Sequence, residues 1–98
     1  MSFEKLRTED RRLVILRLLA EIPGYECNSS ILQEALDEYG HPVSRDTLHV
    51  DLAWLTEQQL LTVSEVATVK VAQLTARGLD VAGGRAVVPG VRRPGPRI

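Results

Sequence analysis

The chain has 98 residues, 44% of them apolar and 26% charged, with 12 Lys and Arg against 13 Asp and Glu for a formal charge of −1. That length allows one modest core, and the apolar share excludes a wholly disordered chain. The single cysteine, Cys27, excludes a disulfide framework and a cysteine-rich zinc site, and a cytosolic setting is the simple expectation.

The charge is unevenly spread. Residues 1–84 hold eight bases and all thirteen acids, a net −5, whereas 85–98 hold Arg85, Arg92, Arg93 and Arg97 and no acid. The last ten residues contain three of the five prolines and two of the seven glycines, a composition unsuited to helix or ladder. The expected division is therefore a folded domain over 1–84 and a flexible basic tail over 85–98. Such a tail is either a solubilising terminus or an arm that touches phosphate or an acidic partner.

Taken in order, Phe3 to about Glu21 lacks Gly and Pro and predicts a first helix, with Phe3, Leu6, Leu13, Val14 and Ala20 in one broad arc. Ile15 and Leu19 fall on the opposite side at i, i+4, so this helix is either central in the fold or buries its second side in a partner. The longest nearly unbroken apolar run, Leu13–Ala20, is interrupted by Arg17 and falls far short of the roughly 20 residues of a membrane span. The stretch ahead of it mixes acids with bases, unlike a signal peptide. A second helix is expected near 28–40, with Ser30 and Gln33 as a capping box, Ile31, Leu32, Ala35, Leu36 and Tyr39 at helical spacing, and Gly40 as its stop. Ser44 should cap a third helix reaching about Gln59, with Leu48, Leu52 and Leu55 inward. The short link between the two fits a helix-turn-helix.

From Leu61 the period changes to two, and β-branched runs on either side of Glu65–Thr68 predict a hairpin whose tip carries no Gly, Asn or Asp. Thr75 then caps a short fourth helix, Ala76–Ala82, ended by Gly83 and Gly84. The fold class is mainly α with a small β-hairpin, in the order helix, helix, helix, hairpin, helix, which is that of a winged helix-turn-helix.

The segment from Val43 to Leu61 resembles the third helix of winged helix-turn-helix regulators, in particular the DeoR-like pattern, at Ser44, Thr47, Leu48, Asp51, Leu52, Leu55 and Leu61. Leu74-Thr75-Ala76-Arg77-Gly78 similarly resembles the passage by which many such domains leave the second wing strand. The whole chain, including the ending at Val88–Pro94, also resembles the short winged-helix proteins of Mu-like phages and prophages. These resemblances imply a phage or prophage origin, residence in the cytoplasm of a bacterial host, and a DNA-binding transcription regulator; from the two-sided first helix, a homodimer through helix 1, with helix 4 as a further contact, is the expected assembly.

Read as a DNA-reading helix, the third helix would present its outer face to the major groove. At 100° per residue that face holds Asp46, His49, Val50, Ala53 and Glu57, two acids and no Arg or Lys. The two basic positions of the DeoR-like pattern fall here on His49 and Val50. Candidate contacts to duplex DNA are therefore Arg45, Thr47 and His49, with Arg11 and Arg12 on the first helix, Lys70 on the wing, and Arg92, Arg93 and Arg97 in the tail. The competing reading is a protein-interaction module, with Val50, Ala53 and Trp54, or Ile15 and Leu19, as contacts. Trp54 itself is either a packing residue between helix and hairpin or an interface anchor.

No enzymatic constellation is apparent. Cys27 has no histidine near it in sequence and reads as a small buried filler. His41 and His49, read as surface residues, match no zinc spacing, so neither metal nor cofactor is expected. No Gly-rich phosphate loop follows a strand.

Overall fold

A computed structural model describes residues 2–96. The first helix, α1, spans Phe3–Glu21, and the Ser2 side chain accepts a hydrogen bond from the Lys5 amide at its start. Its inward face is Leu13, Ile15, Leu16 and Leu19, while Phe3 and Leu6 are exposed. Ile15 and Leu19, expected as a second, partner-facing side, are both 0% exposed within the chain, which corrects their reading as contacts. The physical reason is that α1 is covered on that side by the rest of the fold, including the sheet and α4.

A short 3-10 turn at Pro23–Tyr25 follows, with Gly24 at φ 83, and leads into a three-residue strand that the sequence pattern did not announce: β1, Glu26–Asn28. It pairs antiparallel with the later strand β3 (Val69–Leu74), setting buried Cys27 opposite buried Ala72. Because Asn28 leaves β1 with extended backbone, its side chain caps α2 (Ser29–Glu38) by accepting from the Ile31 amide at 2.9 Å. The expected Ser30–Gln33 capping box does not form. Ser30 is already inside the helix, and the Gln33 amide nitrogen instead donates to the Val43 carbonyl at 3.1 Å, bracing the link to the next helix.

Gly40, at φ 82, ends α2 as expected: the His41 amide donates to the Leu36 carbonyl and the Gly40 amide to that of Asp37, the paired bonds of a Schellman stop. Helix α3 spans Arg45–Glu57 and is capped by Ser44, whose hydroxyl accepts from the Thr47 amide at 3.1 Å. Leu48, Leu52 and Leu55 point inward as expected, and so does Asp51. The same pair of closing bonds ends α3, but with Gln59 rather than glycine in the left-handed conformation, at φ 63.

Strand β2 (Leu61–Val66) and β3 form the wing, in register from Leu61 with Leu74 to Val66 with Val69. The two-residue tip holds Ala67 at φ 57, a left-handed position that Gly, Asn or Asp more often fills, so the turn carries no residue that marks it in the sequence. The sheet order is β1-β3-β2. Helix α4 (Ala76–Ala82) is capped by the Thr75 hydroxyl, which accepts from the Gly78 amide. Gly78 is obligatory there, because a Cβ would sit 1.9 Å from the Leu60 carbonyl oxygen. The result is an α+β protein with a winged-helix-like arrangement, and among the described residues no helix is long and apolar enough to cross a membrane.

The described residues after α4, 85–96, differ from the flexible tail expected over 85–98. They form no helix or strand, yet Val88 and Val91 are buried in the core. The Arg92 amide donates to the Glu9 carbonyl, and Gly90, at φ 99, lies against the Trp54 ring. Proline and arginine content hid this: three small apolar side chains, Ala86, Val88 and Val91, pack an irregular strap onto the body.

Candidate nucleic-acid interface

Helix α3 and the wing form one continuous face. On α3, Asp46, Val50, Ala53 and Glu57 are exposed and His49 is half-buried; Val50 is 67% exposed. At the wing tip Val66 is 63% exposed. Between helix and wing lies a shallow groove of about 250 Å³ lined by His49, Leu52, Ala53, Thr56, Val63 and Lys70. Within it the Nε2 atom of His49 is buried without a hydrogen-bond partner.

The cations expected to serve this face are mostly engaged elsewhere. Arg45 is exposed at the start of α3, and its guanidinium donates to the Thr68 carbonyl at 3.0 Å, tying helix to wing tip. Thr47 is half-buried and accepts from the Ser44 hydroxyl at 3.1 Å. Lys70 pairs with Glu65 at 2.8 Å, and this ammonium holds the Glu65 carboxyl below its ordinary range, chiefly through the hydrogen bond it donates.

Arg11 and Arg12 do not reach outward. The Arg11 Nε donates to the Asp51 carboxylate, itself 2% exposed, and Arg12 faces the other carboxylate oxygen at 3.6 Å. Arg12 also lies over the Trp54 ring, 3.9 Å from its centroid, and donates to the Gly90 carbonyl at 3.0 Å. Trp54 is thus half-buried between Arg12 and the strap, so of its two readings the packing role is the one seen, with Gly90 in the place expected for the hairpin. The two-arginine clamp was missed because the acid at i+3 from Leu48 was not recognised as inward. Its spacing with Leu48, Leu52 and Leu55 carried that signal.

In the strap, Arg92 donates to Asp10 at 3.1 Å, and the other oxygen of that carboxylate lies 2.8 Å from the Nε2 of His41. His41, expected on a loop surface, is buried, because the Schellman stop of α2 turns it toward α1. Arg93 is exposed with no ion pair among the described residues, and Arg97 lies outside them. Cys27 is buried as expected, and burial pushes its thiol up from the ordinary value. Among the described residues no group of three or more His, Cys, Asp or Glu side chains is arranged to hold a metal ion.

Four helices, a wing built on a three-stranded sheet, and a capped α3 exposed beside that wing define a small winged-helix-like protein. No protein-family model and no solved structure matches it. The chain is 58% identical over 90 residues to the uncharacterised protein gp26 of Escherichia phage Mu, a match covering 92% of this chain and 93% of that protein. It is 49% identical over 80 residues to an uncharacterised protein of Haemophilus influenzae, covering 81% and 78% respectively. The chain belongs to the family of phage Mu gp26.

Proposed function

We propose that this phage-type protein is a winged-helix interaction module whose α3 and wing dock a partner protein inside the bacterial host, the partner's surface being apolar with basic groups at its rim. The observation that carries this is the composition of the exposed face. Val50, Ala53 and Val66 stand among Asp46, Glu57 and Glu65, and Arg45 is the cation there that makes no ion pair among the described residues. A duplex lined with phosphates repels such a face, whereas a desolvating protein contact uses both its apolar centre and its acidic rim.

A second reading has its own support. The winged-helix-like fold is compatible with a transcription regulator that binds duplex DNA as a dimer. The contact between Arg45 and the wing tip sets a guanidinium at the junction of helix and wing, where a groove-bound helix meets the phosphate backbone.

One pair of measurements separates the two. Fluorescence anisotropy with phage-derived duplex fragments at low salt should give no saturable, salt-sensitive binding. A photo-crosslinker at Val50 in phage-producing cells should capture one dominant protein that Ala53→Glu abolishes. Tight duplex binding that weakens steeply with salt and is lost in Arg45→Ala would replace the docking reading with the DNA one.

A further inference from the structure

Six charged side chains of α1 make no ion pair among the described residues, and two of them, Arg17 and Glu21, stand one turn apart on its outer side near its C-terminal end, apart from the group Glu4, Lys5, Arg7 and Glu9 at its start. Arginine preceding glutamate is the weaker order for an i, i+4 pair within one helix, and the two are not joined here. Both line two adjoining hollows. One, about 340 Å³, is completed by Val14, Leu18 and the exposed Tyr39; the other, about 330 Å³, by residues that include the exposed Leu79. Apolar groups therefore flank an unmatched cation and anion on one surface.

We propose that this face of α1 is a homodimer interface, occupied by a second copy of the chain with its α1 antiparallel. In a two-fold interface the same patch must complement itself. An antiparallel copy crossing at Leu18 stacks that side chain on its symmetry mate and brings Arg17 within a turn of the partner's Glu21, while Glu21 meets the partner's Arg17. Both unmatched charges are then paired by one operation, and Tyr39 adds an aromatic edge to the contact. The side of α1 used is opposite to Ile15 and Leu19, which are consumed by the core. The interface leaves α3 and the wing free, so it stands or falls independently of the docking reading.

The test is sedimentation velocity on the full chain over a range of micromolar concentrations. Wild type should dimerise. Arg17→Glu and Glu21→Arg should each weaken the dimer by at least about tenfold, since two symmetry-related exposed pairs are lost and like charges replace them. The double exchange Arg17→Glu with Glu21→Arg restores opposite charges across the axis and should return the dimer to within about threefold of wild type. These side chains lie on the outer side of α1, so unchanged thermal unfolding at low protein concentration is expected of all three variants. Leu18→Lys should give monomer. A wild type that stays monomeric throughout, single reversals that dimerise like wild type, or a double exchange as weak as the singles would each overturn the proposal.

Discussion

Replacing Asp51 with alanine removes the acceptor that holds two arginines at the centre of the molecule. The Arg11 side chain is 10% exposed and that of Asp51 3%, so the substitution leaves a guanidinium charge with little water and no counterion. Breaking such a pair from one side costs about 3–5 kcal/mol. Arg12 keeps its bond to the Gly90 carbonyl and its place over Trp54, and at 17% exposure it has more room to hydrate, so the lower end, about 3 kcal/mol, is expected. For a domain whose total stability is about 5–15 kcal/mol that is a large share. Urea unfolding followed by the fluorescence of Trp54, the only tryptophan, reads it directly. With a slope of roughly 1–2 kcal/mol per M, the midpoint should fall by about 2 M. The exposed Glu57→Ala serves as a control and should change stability by less than about 0.5 kcal/mol. Replacing both Arg11 and Asp51 with leucine should recover most of the loss, because the desolvation cost disappears with the charges. An Asp51→Ala loss under about 1 kcal/mol would refute the inference that this clamp is buried and matched.

Four further outcomes follow from the backbone and from burial. Gly90→Ala puts a Cβ 2.6 Å from the Trp54 ring at a φ of 99 and should cost about 2–3 kcal/mol, with a shifted Trp54 emission as the local sign. Gly78→Ala, facing backbone at 1.9 Å, should cost at least about 3 kcal/mol or prevent folding, as judged by circular dichroism. Gln59→Gly relieves a left-handed non-glycine residue at the end of α3 and should be stabilising by about 0.5–1 kcal/mol in the same urea assay. Cys27, with its thiol pushed up by burial, should resist alkylation at pH 8 until the chain is unfolded; because the folded state prefers the neutral thiol, its contribution to stability is present below the ordinary thiol range and is lost as pH rises through the folded value.

Elements marked by local chemistry were readable from sequence. Ser44, Thr75 and Gly40 cap or stop their helices through bonds to residues within five positions, and each does so here. What escaped was set by distant partners. Strand β1 has one buried residue and exists because β3 offers it an edge. Asn28 displaced the Ser30 capping box because β1 delivers it to the helix with the right backbone. On the candidate site, the acidic and apolar character of α3 followed from helical spacing alone, whereas the withdrawal of Arg11, Arg12, Lys70 and Arg92 required knowing which acid lies opposite each.

That withdrawal changes what an uneven charge distribution means. Read along the chain, an acidic body of −5 followed by four arginines suggests a basic arm free to find phosphate. In the structure one of those arginines, Arg92, meets an acid of the body, Asp10, whose second oxygen is held by His41. The neighbouring Gly90 carbonyl accepts from Arg12 on the same helix. Val88 and Val91 therefore anchor the strap and the exposed Arg92–Asp10 pair adds to it, so part of the tail's positive charge is matched by an acid of the body. Reversing Asp10 to lysine tests this step. It should repel Arg92, leave the largely buried His41 without its acceptor, and loosen the strap, with faster tryptic cleavage after Arg92 while the wing stays intact. Unchanged cleavage in Asp10→Lys would mean that Val88 and Val91 alone hold the strap, and that Arg92 is available to a phosphate after all.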